Sequence, residues 1–295
     1  MQKDCDMMVR QAKRFAGKTP ERIWPGCTQC RRRGLRRASR LVVSCRGTVM
    51  AVVRLVLAIV VLFGTGAVLE NILPLAQDSA YNQFADTRCT LGLPNAANVL
   101  SNLPILLVGL YGLAWVRSPG RSSHTLSRGV MVFAVGLTLA AVGSAGYHLH
   151  PTNATLVWDR LPLAVAVGGA ILVFGTAATS RRPTWPQCLL VASASAGTVG
   201  WWALTDSLWP YVLLQIGGFL APVGLLLARH LRSLDGWWTV VLAYAASKLF
   251  EYFDRALFVL TGHLVSGHTL KHLASAVAAF TLITVVIHLD RRATA

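Results

Sequence analysis

Apolar residues run through most of this chain in unbroken stretches of bilayer length, and the polar residues that interrupt them are few. Stretches of roughly 20 residues, the length a helix needs to cross hydrocarbon, fall near 51–69, 95–116, 128–149, 158–178, 187–204, 210–230, 237–259 and 267–288. They predict eight helices. The first is long and lacks a clean small-residue cleavage pattern, so it reads as a retained anchor rather than a signal sequence. The fold class expected is an all-α integral membrane protein: a seven-helix transmembrane bundle with one additional N-terminal span.

Composition agrees with that pattern. Of 295 residues, 54% are hydrophobic and only 14% charged, where a soluble domain carries about 25% charged residues. The net charge of +16 could suggest nucleic acid, but 13 of the 28 Lys and Arg lie within residues 1–50, against three acids there. The basicity belongs mostly to a tail, and no nucleic-acid partner is expected. That tail, residues 1–49 with RRRGLRRASR at 31–40, has little apolar periodicity. It is expected to be a disordered cytoplasmic segment resting on anionic lipid, or a start-site artefact if translation begins at Met50. Residues 50–80 then form the anchor and an outer loop, and 81–290 the main domain. Six cysteines make no disulfide framework, and Cys27 with Cys30 is a lone C-x-x-C without a second pair at zinc-site spacing.

Basic residues in the short loops set the expected orientation. Arg117, Arg121, Arg128, Arg181, Arg182, Arg229, Arg232, Arg291 and Arg292 fall in alternate connections, on the same side as the tail and Arg54. The intervening loops 70–94, 150–157, 205–209 and 260–266 carry few positive charges. Both termini are therefore expected in the cytoplasm. Arg-rich, Ala/Leu/Val-heavy composition with short loops points to a bacterial inner membrane.

Five residues within or beside the spans then share one depth on the extracytoplasmic side: Ser144 and His148 in GSAGYHLH, Asp159 in VWDRLP, and His268 with His272 in SGHTLKH. Ionisable groups in a membrane mark a functional site by default. His268 and His272 lie on one helix face about 6 Å apart along the axis, and two imidazoles so placed can share a metal. His148 makes a third nitrogen ligand, the number found in open catalytic zinc sites. Ser144, one turn before His148, could donate to a carbonyl oxygen gaining charge. Asp159 could take a proton from water that the metal activates. Together these describe hydrolysis of a carbonyl compound that enters from the bilayer. Blander readings stand beside each: interfacial histidines, Asp159 as a helix cap, Ser144 bonded back to its own helix. Lys248, Glu251 and Arg255, with Asp254 beside them, form a charged stripe best explained by mutual pairing inside the bundle.

S-x3-H on one helix, an aspartate eleven residues after that histidine, and H-x3-H on the last helix resemble the alkaline ceramidase family. That family belongs to a wider superfamily of seven-span membrane hydrolases that includes the adiponectin and progestin receptors. The likeness covers roughly residues 81–290, and NVLSNLP at 98–104 resembles the ceramidase branch. It implies zinc (Zn2+) held by His148, His268 and His272, with Ser144 and Asp159 as catalytic residues. The reaction implied is hydrolysis of the amide of ceramide, or of a related N-acyl lipid, to a fatty acid and an amine. Eukaryotic members carry an acid-rich calcium site just before and within the first core helix; here the set is thinner, with Asn95 at a glutamate position and Asp86 the one acid near it, which counts against calcium (Ca2+) as a second cofactor. A membrane lipid is the expected substrate, with no obligate protein partner. The alternative is a receptor or signal-coupling protein on the same scaffold.

Overall fold

The structure is a computed structural model and describes residue 50 and residues 52–121, 124–231 and 236–294. The basic tail with Cys27 and Cys30, and Arg232, lie outside the described residues. The chain divides into two units, one ending at Val60 and the other beginning at Val61; helix α1, Val52–Ile72, carries the division.

In the second unit the chain runs through a short 3₁₀ turn, Ser79–Asn82, and then α2 (Ala96–Leu100), α3 (Leu103–Arg117), α4 (Ser127–Leu149), α5 (Asn153–Thr179), α6 (Trp185–Thr205), α7 (Trp209–Leu227), α8 (Trp237–Tyr252), α9 (Asp254–Leu260) and α10 (Gly267–Thr294). Counting α1 and taking α2 with α3, seven helices among the described residues are long and apolar enough to cross a membrane. Their large side chains are distributed accordingly. Leu107, Leu139, Val142, Leu220 and Val277 are exposed, an array that water would disfavour and hydrocarbon accepts. The chain is a multi-pass membrane protein.

Two expected boundaries are corrected. The run over 237–259 is not one helix but α8 and α9, broken at Phe253 (φ −94°, ψ 25°). The Asp254 carboxylate after the break accepts the backbone N–H groups of Ala85, at 3.0 Å, and His268, at 2.7 Å. Helix α5 begins five residues before the apolar run at 158–178. Thr152 caps it, with its side chain accepting from Thr155 N and the Thr155 hydroxyl taking the Thr152 N–H. Asp159 is thus in the second turn of α5 and is no helix cap.

The α4–α5 pair is held at backbone contact by glycine. A Cβ at Gly136 would lie 2.5 Å from Ala166 N, one at Gly169 2.3 Å from Phe133 N, and one at Gly143 2.0 Å from Trp158 O. Small residues let membrane helices approach this closely. Pro162 inside α5 has no N–H to offer the carbonyl four residues back, which is that of Trp158. The carbonyl released by the proline is the one that Gly143 accommodates. Val130, Phe133, Val173, Trp237, Ile283 and Val286 fill the core between α4, α5, α8 and α10.

Candidate metal centre

His148 stands one residue from the C-terminal end of α4, and His268 and His272 occupy the first two turns of α10. Their rings meet. Centroids are 4.8 Å apart for His148 and His268, 5.1 Å for His148 and His272, and 4.9 Å for His268 and His272. One nitrogen from each lies within 4.8 Å of the others, and among the described residues this is the one group of three or more His, Cys, Asp or Glu side chains that close. All three are buried, at 0%, 5% and 4% exposure. His148 Nδ1 and Nε2 and His268 Nε2 have no hydrogen-bond partner among the described residues. Buried polar atoms are normally paired because desolvation without a partner costs about 1–3 kcal/mol each. Converging imidazole nitrogens with free valence fit a metal ion, and the three histidines could hold one.

The supports of this triad come largely from the segment that opens α2. Asn95, in the left-handed region at φ 48°, donates its amide to the His148 carbonyl at 2.8 Å. Ser101 Oγ lies 2.7 Å from His272 Nδ1 and donates to the Asn98 carbonyl at 3.0 Å. A hydroxyl has one proton, so with that proton on Asn98 the imidazole Nδ1–H must be the donor, leaving the His272 Nε2 lone pair for the centre. The Asn98 side chain accepts from Thr269 Oγ1 at 3.0 Å, next to His268. Phe84 lies over the cluster, 4.6 Å from the His148 ring centroid and 4.8 Å from that of His268. Gly267 starts α10 where any side chain would strike the Phe250 carbonyl, its Cβ falling 2.2 Å from that oxygen.

Ser144 is buried one turn before His148, and its side chain interacts with the Asp159 carboxylate across the Gly143 contact. The hydrogen-bonded supports of the triad run to Asn95, Ser101 and Asp254, not to this pair. Asp86 is committed elsewhere: its carboxylate accepts Arg88 Nε at 2.8 Å and Nη2 at 2.6 Å, and the guanidinium holds it below the usual carboxylate range. The charged stripe is only partly self-paired. Glu251 binds Lys248 at 3.3 Å, but also Lys271 of α10 at 2.5 Å and the Tyr81 hydroxyl at 2.7 Å; Arg255 is exposed.

Comparison with known proteins returns nothing: no family model, curated protein or solved structure matches this chain. The site therefore stands on its own geometry. Sequence reasoning found the three histidines and missed the residues that orient them. Asn98 and Ser101 had a signal, two polar side chains three apart in an apolar run. Phe84 and Asp254 had none that separated them from their neighbours.

Proposed function

We propose that this chain is a zinc-dependent membrane amidase that hydrolyses ceramide or a related N-acyl lipid to a fatty acid and an amine. The observation that carries the reading is the buried His148–His268–His272 triad, with one nitrogen of each within 4.8 Å of the others and both His148 nitrogens and His268 Nε2 without a hydrogen-bond partner among the described residues. The likeness of its spacing to the alkaline ceramidases supplies the reaction. With the broken α8–α9 stretch taken as one span beside the six long helices, residues 81–290 are the seven-span hydrolase domain and α1 its additional N-terminal anchor, in a bacterial inner membrane. Both termini are cytoplasmic and the site faces outward.

His148, His268 and His272 would hold a divalent metal, which would supply Lewis acidity toward a carbonyl and toward water. Asp159 accepts the proton of the attacking water and delivers it to the departing amine nitrogen as the amide C–N bond breaks. Water oxygen ends in the carboxylic acid. Ser144 orients the Asp159 carboxylate and offers its hydroxyl to the carbonyl oxygen as charge develops. An apolar cavity of about 110 Å³ between α4, α5, α7, α8 and α10, lined by Leu137, Leu163, Val167, Phe219 and Leu282 among others, suits an aliphatic chain.

The test is metal content and fatty-acid release. Purified protein is expected to hold about one zinc per chain, with His268→Ala and His272→Ala losing metal and turnover together. Full metal retention in both variants removes the zinc assignment. Lipid binding without release of fatty acid favours the receptor reading.

A further inference from the structure

Arg160 follows Asp159 on α5 and is the most confined cation in the outer half of the bundle, at 8% exposure. Three aromatic rings surround it: Tyr81 at 5.0 Å, Trp202 at 4.9 Å and Tyr211 at 5.3 Å from the guanidinium carbon. Ring faces attract a cation but accept none of its five N–H groups strongly. Its Nη1 has no hydrogen-bond partner among the described residues. No carboxylate forms a salt bridge with it there.

One turn along α7 from Tyr211 sits Gln215, whose carbonyl oxygen accepts the Tyr244 hydroxyl and whose Nε2 is likewise buried without a partner. Tyr244 borders the apolar cavity, and Lys248 lies over its ring at 5.6 Å. Both of these unpartnered groups are donors. Arg160, Lys248 and Lys271 lie near the carboxylates of Asp159 and Glu251, and the Asp254 carboxylate is taken up by two backbone N–H groups. Along α5, Leu163 and Val167 of the cavity wall follow Arg160 at i+3 and i+7, so the apolar wall and the guanidinium share one helix face.

We propose that Arg160 and Gln215, with Lys248 beside them, bind a carboxylate on the amine side of the substrate. This deepens the amidase reading and rests on it: the substrate class becomes N-acyl amino acids rather than neutral ceramide. The acyl chain occupies the cavity, and the head group presents to Arg160 the acceptor that the aromatic cage lacks. Charge-assisted hydrogen bonds of a desolvated guanidinium to carboxylate are strong and planar, which suits Arg over Lys.

The experiment compares equilibrium binding of N-oleoylglycine, N-oleoylethanolamine and oleate to the purified full-length chain in detergent, with zinc content and fatty-acid release measured in parallel. N-Oleoylglycine is expected to bind about tenfold or more tighter than N-oleoylethanolamine. Arg160→Met should abolish that preference while leaving zinc content unchanged, and Gln215→Leu should reduce it. Equal binding of the glycine and ethanolamine amides by the wild type overturns the proposal without any variant, so a misfolded Arg160→Met does not shelter it. Oleate binding as tightly as N-oleoylglycine, with the same Arg160 dependence, also overturns it, because the site would then read the product acid. A preference that persists without release of fatty acid supports the anion site and defeats the amidase reading alone; release without preference does the reverse.

Discussion

Replacing Gly143 by alanine puts a methyl carbon 2.0 Å from the Trp158 carbonyl oxygen, where ordinary contact begins at 3.4 Å. The deficit, 3.4 − 2.0, is 1.4 Å. No rotamer relieves it, because the methyl is fixed to the α4 backbone and the oxygen belongs to the turn of α5 that Pro162 leaves without its internal hydrogen bond. The helices must part, and the residues flanking the contact part with them, Ser144 on one side and Asp159 on the other. Overpacking of this kind costs about 1–3 kcal/mol, and a misplacement of about 1 Å at a reacting group costs roughly 100-fold in rate. Gly146, three residues along the same helix, is the control, since a Cβ there meets nothing within 4 Å. Gly146→Ala should gain about 0.5–1 kcal/mol from helix propensity. The two alanines are therefore expected to shift stability in opposite directions from wild type and to differ by about 1.5–4 kcal/mol, read by unfolding in mixed micelles of increasing SDS. Zinc content should survive in both, because neither glycine supports a histidine. If Gly143→Ala proves as stable as Gly146→Ala, the close α4–α5 seam is not what positions Ser144 against Asp159.

Ser101→Ala removes the partner of His272 Nδ1 and is expected to weaken zinc affinity by about 10–100-fold while sparing the fold; a chelator titration with unchanged affinity would refute the tautomer argument. Asp159→Asn should keep zinc and lose fatty-acid release, and an active variant would refute the base role proposed for it. The Asp86–Arg88 pair gives a pH dependence of known sign. Arg88 lowers the Asp86 pKa, so the pair's contribution is whole above the ordinary aspartate value of 3.8 and drains as pH falls through the lower folded value. Wild type and Arg88→Met should therefore differ in stability at neutral pH and converge in strong acid. A gap that stays constant down to about pH 2 would show that the two residues are not electrostatically linked.

Much of the architecture is legible in the order of residues alone. A run of 20 apolar residues has few options but to cross hydrocarbon as a helix, because an unpaired backbone is too costly there; α4, α6, α7 and α10 fall close to where their runs place them. The exceptions have local causes. Thr152 and Thr155 carry α5 outward beyond its apolar stretch, since a capping box can start a helix in polar sequence. Asp254 breaks the 237–259 run because its carboxylate caps a different helix, and a partner more than ten residues away leaves no trace in periodicity.

The site divides the same way. The i, i+4 spacing of His268 and His272 already places two imidazoles on one face, and the polar intrusion at His148 marks a second helix, so the three histidines that could hold a metal are legible in local sequence. That the three rings converge within 5.1 Å of one another, that Ser101 turns His272, and that Phe84 closes over them are facts of packing between segments far apart along the chain. Arg160 makes the point most sharply: in the sequence it is an arginine after an aspartate near a helix start, an ordinary interfacial cation. Only the tertiary structure buries it among three aromatic rings contributed by three other segments, and burial is what turns an unremarked charge into one that calls for an anion.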